Sequence, residues 1–406
     1  MSQDKVELVE ILRQMILIRE FDVLAVELRT AKRIYGALHP YVGEEAVAVG
    51  VCAALRPTDR ITSTHRGHGH CIAKGADINR MMAELFGRAD GYCKGKGGSM
   101  HIADFAIGML GANGIVAGGM PIACGAALAA QLEDQGAVAA CFFGDGATGE
   151  GEFHETLNIA SLWKLPLLFV CENNRYGAGN AVESVRSEAD ISLHAPAYGM
   201  PGVSVDGNDV LAVREAARQA VERARRGGGP TLLHCKTFRW LFHAMRDAPQ
   251  PDLRSADLLA QWRARDRDPI ARFEAVLIAR GLVTAADVQA IRDRVKRDLA
   301  AAVERARRGD GPTLLHCKTF RWLFHAMRDA PQPDVRSADL LAQWRGRERD
   351  PIARFEDLLT GRALVTAAEV QAIRDRVKRD LAAAVEFAEK SPYPDPKDLL
   401  VDMFAE

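Results

Sequence analysis

The 406-residue chain lacks any excess of charge of one sign. Its 53 lysine and arginine residues are balanced by 54 aspartate and glutamate residues, which gives a formal net charge of −1. A nearly neutral chain has no general electrostatic attraction to nucleic acid or to an anionic membrane surface. We therefore expect neither nucleic acid nor a membrane as a partner.

Cysteine pairs of the metal-binding or redox type are also absent. The eight cysteines are scattered singly, and no two have the C-x-x-C spacing of zinc ribbons and thioredoxin-like sites. We expect reduced thiols buried in the core. No uninterrupted apolar run reaches membrane-spanning length, and the amino-terminal MSQDKVELVEILRQ has no signal-peptide core. These absences predict a cytoplasmic protein.

What the sequence does contain is an alternation of structural patterns. Residues 5–31 have the apolar spacing of a helix. From about residue 36 to 205, glycine-rich turns and helical patterns alternate with short β-rich runs such as AVAACFF and LPLLFVCE. This alternation predicts an α/β fold, a parallel sheet covered by helices on both faces. The run TLLHCKTF, which starts at residue 231, is expected to be one more buried strand.

The last third of the chain contains a repeated segment. Residues 303–384 repeat residues 221–302 with only ten differences over 82 positions. Two copies are too few for a solenoid, so we interpret them as a tandem duplication. Each copy is predicted to hold one strand, a polar loop and then capped helices. The expected domains are an α/β domain in 1–240, a helical region in 241–302, the second copy in 303–384 and a tail in 385–406.

The main functional signal is an acidic glycine-rich loop, FFGDGATGEGEFHE. Gly144, Gly146 and Gly149 have the G-x-G-x-x-G spacing of a dinucleotide-binding loop, which alone is a weak signal. Asp145 lies between the first two glycines and would repel an uncovered pyrophosphate. A divalent cation between this carboxylate and the phosphates removes the conflict, because Mg²⁺ binds protein and phosphate oxygens together.

A second metal ligand is expected at the end of a neighbouring strand, where parallel sheets bind their ligands. Asn174 follows the predicted strand LPLLFVCE and lies 29 residues after Asp145, which is the length of one helix, one strand and their turns. Its side-chain oxygen is a suitable neutral ligand. An Asn-Asn pair alone is more typical of a turn. Combined with Gly-Asp-Gly, it favours a metal site over the alternative, a nicotinamide oxidoreductase.

A Gly-Asp-Gly sequence followed about thirty residues later by Asn-Asn is the signature of thiamine diphosphate enzymes. The surrounding text resembles the alpha subunit of the decarboxylating first component of 2-oxo acid dehydrogenase complexes. The resemblance runs from about residue 10 through HPYVGEEAVAVG, ITSTHRGHGHCIAKG and GYCKGKGGSMHIADF to SPYPDPKDLLVDMF, and it leaves out only one 82-residue copy. It implies the thiamine diphosphate-binding fold, with thiamine diphosphate and Mg²⁺ as cofactors.

The same resemblance implies a role for individual residues. Mg²⁺ is expected on Asp145, Asn174 and the backbone carbonyl of Tyr176. Backbone N–H groups at the start of the helix and an arginine would hold the diphosphate, and further backbone groups would contact the aminopyrimidine ring. The expected cofactor-binding residues are His65, Arg66, Gly114, Val116, Asp145, Gly146, Ala147, Asn174, Tyr176 and His243.

Two histidines are expected to be catalytic by resemblance. His68 would transfer a proton to or from the substrate. The second is His243 in the first copy or His325 in the second copy, and we favour His243 because its strand directly follows the preceding helix. Ala244 replaces the phosphorylatable serine of regulated relatives, which excludes serine phosphorylation at that position. His70 is expected to be structural.

The resemblance also implies partners and a substrate class. A beta subunit would supply a glutamate needed to activate the cofactor, in an α2β2 assembly, and a lipoyl-bearing acyltransferase would accept the acyl group. Pyruvate is placed slightly ahead of acetoin, because CENNRYG looks like pyruvate dehydrogenase whereas ITSTHRGHGHCIAKGAD looks more like acetoin dehydrogenase. Branched-chain 2-oxo acids come third. The remaining alternative is a non-catalytic remnant that the duplication has disabled.

Overall fold

Two compact units, Met1–Leu314 and Leu315–Glu406, make up the chain in the computed structural model. The structure describes residues 3–133, 136–245, 252, 254–308, 351–361 and 365–390. The domain boundaries predicted from the sequence stay predictions.

A five-stranded parallel sheet lies at the centre of the first unit, in the strand order β1-β2-β3-β7-β6. A separate antiparallel pair, β4 and β5, lies outside it. The predicted parallel sheet and the strand predicted from residue 231 are confirmed. The strands are Arg60–Thr62 (β1), Ala139–Gly144 (β2), Leu167–Asn173 (β3), Tyr176–Gly177 (β4), Asn180–Ala181 (β5), Gly202–Asp206 (β6) and Thr231–Lys236 (β7).

Helices surround the sheet, and several begin with the capping residues that the sequence predicts. Asp268 accepts a hydrogen bond from the backbone N–H of Ile270, and Thr284 and Asp287 form a reciprocal capping box. The helices of the first unit are Gln3–Thr30 (α1), Glu45–Ala53 (α2), Gly67–Ala73 (α3), Ile78–Leu85 (α4), Gly119–Leu132 (α5), Gly151–Leu162 (α6), Val182–Val185 (α7), Val210–Arg225 (α8), Ala256–Arg263 (α9), Pro269–Ala279 (α10) and Ala285–Arg308 (α11).

The central strands are buried on both faces, because their side chains alternate between two hydrophobic clusters. On β2, Ala140 and Phe142 face the cluster formed with α1, α2 and α8. Cys141 and Phe143, which alternate with them, face the cluster formed with α5 and α6. Near-continuous apolar strands are typical of sheets covered on both sides. The prediction of helices on both faces is confirmed.

The last helix of the first copy, α11, packs against α1 and α4. Its apolar stripe includes Val295 and Leu299, which are 1% and 2% exposed. Arg88, just after α4, donates a hydrogen bond to the carbonyl of Ala306 near the end of α11. The groove between α1 and α4 therefore holds α11 by apolar burial and by capping of its last turn.

Within the described part of the second unit, the second copy forms the same helices as the first copy. Pro351–Gly361 (α12) corresponds to α10, and Ala367–Lys390 (α13) corresponds to α11. Thr366 and Glu369 repeat the capping box. The apolar stripe of α13, however, faces solvent: Val377 and Leu381 are 50% and 62% exposed. The predicted strand of the second copy and residues 391–406 of the predicted tail lie outside the described residues, whereas residues 385–390 of that tail form the end of α13.

The described cysteines and helices have the properties that the sequence predicts, namely buried reduced thiols and no membrane-spanning segment. The described cysteines are free, and all are buried except Cys93, which is half-buried. Cys317 lies outside the described residues. Among the helices that the structure describes, none combines the length and apolar character needed to cross a membrane. The cytoplasmic location stays a prediction.

Candidate active site

A cavity of about 630 Å³ opens at the carboxyl ends of the central strands. Parallel sheets place ligands at this edge. All the residues that the sequence predicts for cofactor binding line the cavity. They are His65, Arg66, Gly114, Val116, Asp145, Gly146, Ala147, Asn174, Tyr176 and His243.

The two predicted metal-binding side chains lie at the ends of adjacent strands. The pairing of Gly144 with Glu172 sets the register of β2 and β3, and Asp145 and Asn174 follow these strand ends. The β4 hairpin folds against the same loop, because a Cβ atom added to Gly146 would lie 3.6 Å from the Cα atom of Gly177. Tyr176, the predicted carbonyl ligand, is therefore next to the acidic loop.

The carboxylate of Asp145 has the properties of a cation ligand. Its side chain is buried, and its Oδ2 atom has no hydrogen-bond partner among the described residues. Burial raises the pKa of Asp145 to about 6. A buried carboxylate oxygen without a partner is unfavourable in the protein alone, so this position suits a bound cation.

Two buried arginines supply positive charge at the wall of the cavity. Arg66 donates to the carbonyls of Pro40 and His243, both at 2.9 Å. Arg239, which the sequence analysis missed, also lines the cavity, and its Nε atom has no partner among the described residues. Burial and the nearby Arg66 lower the pKa of Arg239 to about 9. Two guanidinium groups that destabilise each other are suited to a multiply charged anion.

Three imidazoles form a cluster at the cavity, from His39, His65 and His243. Their nearest ring nitrogens all lie within 4.8 Å of one another, a spacing compatible with a metal ion. The adjacent guanidinium groups disfavour a cation there: Nδ1 of His243 lies 2.9 Å from Arg66 and 3.0 Å from Arg239. The cluster is better suited to hydrogen bonding with an anion or a polar substrate.

The tautomer of His243 and the charge state of His65 follow from the groups around them. Because arginine nitrogens can only donate hydrogen bonds, Nδ1 of His243 is an acceptor and the neutral ring carries its proton on Nε2. Burial, with Arg66 adding to it, lowers the pKa of His65 to about 2, so this ring is neutral at pH 7. His39 was not singled out from the sequence, since HPYVGEEA gives no signal that it would meet residues 65 and 243.

The structure does not bring His68 to the cavity wall. Its Nδ1 atom lies 2.6 Å from Oδ1 of Asp22, and its Nε2 atom lies 3.1 Å from the hydroxyl of Ser99. Both ring nitrogens therefore contact buried side chains, and the proton transfer predicted for His68 stays a prediction. His325 lies outside the described residues, so the structure describes only His243 of the two candidates.

Buried acids form the floor beneath the cavity. Glu172 lines the cavity and accepts hydrogen bonds from the hydroxyl of Tyr41 and from the His70 ring, the latter at 2.9 Å. Glu44 lies beside it, and burial and the Glu172 charge raise the pKa of Glu44 to about 8. His70 has the structural role that the sequence analysis expects. The two glutamates were not predicted.

The backbone around the cavity is strained at three non-glycine residues. Ala117, Arg175 and Ala178 have φ angles of 62°, 72° and 54°, in the left-handed region that L-residues rarely adopt. Two of them line the cavity, and the third lies between Asn174 and Tyr176. Strain of this kind costs about 1–3 kcal/mol per residue and concentrates at binding sites. It supports the assignment of this cavity as the functional site.

Comparison with known proteins agrees with this geometry. The family described as "Dehydrogenase E1 component" matches residues 12–305 and 299–397. The alpha subunit of acetoin:2,6-dichlorophenolindophenol oxidoreductase from Bacillus subtilis is 57% identical over 236 residues, 58% of this chain and 71% of that protein. Its counterpart from Cupriavidus necator is 45% identical over 304 residues, 75% of this chain and 89% of that protein.

A pyruvate dehydrogenase subunit is also similar. The E1 component subunit alpha of Porphyra purpurea is 40% identical over 327 residues, 79% of this chain and 93% of that protein. The family matches both copies of the repeated segment, since its two matched ranges together span them. The chain therefore belongs to the dehydrogenase E1 component family, among its alpha subunits.

Proposed function

We propose that this chain is the alpha subunit of a thiamine diphosphate-dependent dehydrogenase E1 component that acts on acetoin, with pyruvate as the second candidate. One observation carries the cofactor proposal. Asp145 and Arg239 both present to one cavity at the strand ends a buried polar atom that has no partner among the described residues. A magnesium diphosphate group supplies the cation that the first needs and the anion that the second needs.

Different residues of the cavity would bind different parts of the cofactor. Asp145, the side-chain oxygen of Asn174 and the carbonyl of Tyr176 would hold Mg²⁺. The backbone N–H groups of Gly146 and Ala147 lie in the turn that follows β2 and would donate to the diphosphate. Arg66 and Arg239 would neutralise its charge, and the backbone at Gly114 and Val116 would contact the aminopyrimidine ring.

When bound, thiamine diphosphate supplies the carbanion and electron-sink chemistry that breaks a bond next to a carbonyl group. The chain's own contribution is to orient the substrate and to handle protons. The proton on Nε2 of His243 can be donated to a substrate oxygen. His65 is neutral and can donate or accept a hydrogen bond.

The order of the two substrates changes from the sequence-based expectation. The sequence motifs placed pyruvate slightly ahead, whereas the relatives at 57% and 45% identity carry acetoin in their names and the pyruvate relative is 40% identical. Pyruvate remains the second candidate because its relatives align over a comparable part of the chain.

A partner subunit is part of this proposal. At the rim of the cavity, Ile115 and Val116 are 72% and 47% exposed, although both line a site that must exclude water when the cofactor is in place. We propose that a beta subunit covers this rim in an α2β2 assembly and supplies the activating glutamate. A lipoyl-bearing acyltransferase would then accept the acyl group.

The proposal is tested in two steps. Thiamine diphosphate with Mg²⁺ should raise the melting temperature of the full chain, and neither NAD nor thiamine diphosphate with EDTA should do so. With a beta subunit, the assembly should reduce 2,6-dichlorophenolindophenol faster with acetoin than with pyruvate. Stabilisation by NAD alone would contradict the cofactor assignment, and turnover by the chain without a partner would contradict the assembly. A faster reaction with pyruvate would reverse the substrate order.

A further inference from the structure

Glu44, which lies beneath the cavity, does not cap the helix that it precedes. It precedes α2 in the N-cap position, yet its side chain makes no capping hydrogen bond. A carboxylate at this position normally accepts from the first N–H groups of the helix. Here the side chain is fully buried and turns away from the helix towards the strand ends.

Glu44 contacts the predicted metal ligand Asn174, and its Oε1 atom also lies 4.0 Å from Nε of Arg66. The side-chain nitrogen of Asn174 donates to the two carboxylate oxygens of Glu44, at 3.3 and 3.1 Å. The two ends of an amide have almost the same shape, so the hydrogen-bond network decides which end points where. Both oxygens of Glu44 accept from the NH₂ end of Asn174, so this end of the amide lies on the side of Glu44.

The oxygen end of Asn174 is consequently directed away from Glu44. Its Oδ1 atom accepts from the backbone N–H of Tyr176 at 3.3 Å, in the loop whose carbonyl would also bind the cation. Asn174 and Tyr176 both line the cavity, whereas Glu44 is not among its lining residues. Glu44 thus lies behind Asn174 and Tyr176, further from the cavity than these two predicted metal ligands.

We propose that Glu44 is a positioning residue that orients the Asn174 amide, so that the oxygen and not the nitrogen faces the bound cation. The proposal rests on the proposed function. A reversed amide would present N–H groups to Mg²⁺ and would remove one of the protein ligands. The carboxylate acts through Asn174 and does not contact the cation itself. Groups behind a ligand set its orientation in this way at many metal sites.

The first measurement is Mg²⁺ binding to the full chain in saturating thiamine diphosphate, by isothermal titration calorimetry. Glu44→Leu removes the acceptor at similar size and should weaken Mg²⁺ binding by about tenfold or more. Glu44→Gln keeps one acceptor oxygen and should stay within about threefold of the unchanged chain. Tyr41→Phe is the matched control, because it alters the same buried floor through Glu172 without touching Asn174, and it should leave the affinity unchanged.

A rescue separates orientation from a merely structural role. Asn174→Asp supplies two equivalent oxygens that need no orienting, so adding it to Glu44→Leu should restore Mg²⁺ binding. Beside an intact Glu44 the same change places two buried carboxylates together and should weaken binding. A structural role would make the two substitutions additive instead. Unchanged affinity in Glu44→Leu, or no rescue by Asn174→Asp, would overturn the proposal.

A second pair of variants applies if Glu44→Leu does not fold. Asn174→Asp alone should bind Mg²⁺ more weakly than Asn174→Asp combined with Glu44→Gln, whose amide can donate to the new carboxylate. Equal affinities would overturn the orienting role. If the unchanged chain shows no Mg²⁺-dependent binding of thiamine diphosphate, the proposed function fails and this role fails with it. That result is distinct from normal binding in the unchanged chain with no effect at Glu44.

Discussion

At the scale of the residue, Asp145 shows a conflict between stability and function. Its buried carboxylate has a pKa of about 6 because burial disfavours the charged form. In the unfolded chain an aspartate ionises near pH 4. The folded chain therefore loses stability as the pH rises from about 4 to 6, and the full loss is present above pH 6. A bound cation would reverse this loss.

Asp145→Asn should accordingly stabilise the cofactor-free chain at pH 7.5, by on the order of 2 kcal/mol. The gain should disappear below about pH 4, where the carboxyl is protonated in both states. The same variant should lose Mg²⁺-dependent binding of thiamine diphosphate. Urea unfolding at the two pH values measures the first effect and calorimetry the second. A cofactor-free variant less stable than the unchanged chain at pH 7.5 would contradict this account.

The strand-end residues could be predicted from the sequence, and their neighbours could not. Asp145 and Asn174 follow directly from two apolar strands, whose parallel pairing brings their ends together. The contacts of His39, Glu44 and Arg239 join residues far apart in the chain, and no local pattern encodes them. His68 lies on a short helix whose position relative to the cavity depends on how α3 packs. Its burial against Asp22 is therefore visible only in the fold.

At the scale of the element, α11 and α13 are nearly the same helix in two environments. Glu274 and Arg292 form an ion pair beside α11, and the equivalent Glu356 and Arg374 form one beside α13. Local sequence thus determines the caps and ion pairs in both copies. Burial of the apolar stripe depends on the groove between α1 and α4, which α11 occupies.

A matched pair of substitutions should separate these two contributions. Leu299→Ala removes a core side chain of α11 and should destabilise the first unit by about 2–4 kcal/mol. Leu381→Ala changes the equivalent, exposed residue of α13 and should alter stability by less than about 0.5 kcal/mol. Chemical unfolding followed by circular dichroism measures both. Equal losses of stability would mean that the second helix is packed as the first one is.

At the scale of the whole molecule, the differences between the copies that the structure describes in the first copy avoid the core. Within the first copy, the described positions that differ are all exposed or half-buried, including the run from Ala275 to Gly281 in which five of them fall. The buried residues between them, such as Leu277, are the same in both copies. Either copy therefore has the residues required to complete the first unit.

Removal of residues 303–384 should preserve the fold of the first unit. The deletion joins Ala302 to Val385, so the Val303-Glu304 pair within α11 is replaced by the identical pair Val385-Glu386. We expect a melting temperature within about 2 °C of the full chain, since the core of the first unit is unchanged, and unchanged cofactor binding. Removal of residues 221–302 is the matched control and should give a similar protein. Loss of cofactor binding in the first deletion would show that the second copy contributes to the site.

The exposed stripe of α13 has a further consequence during protein synthesis. Both helices that contact α11, α1 and α4, have been synthesised once about the first 85 residues have emerged, and two nearly identical helices can then pack against them. Closing the longer loop to the second helix costs only about 0.3 kcal/mol more, too little to choose between them. At a typical ribosome speed the second copy follows the first by about 4–16 s, whereas helices dock far faster. We therefore expect the order of synthesis, and not affinity, to decide which copy becomes part of the core.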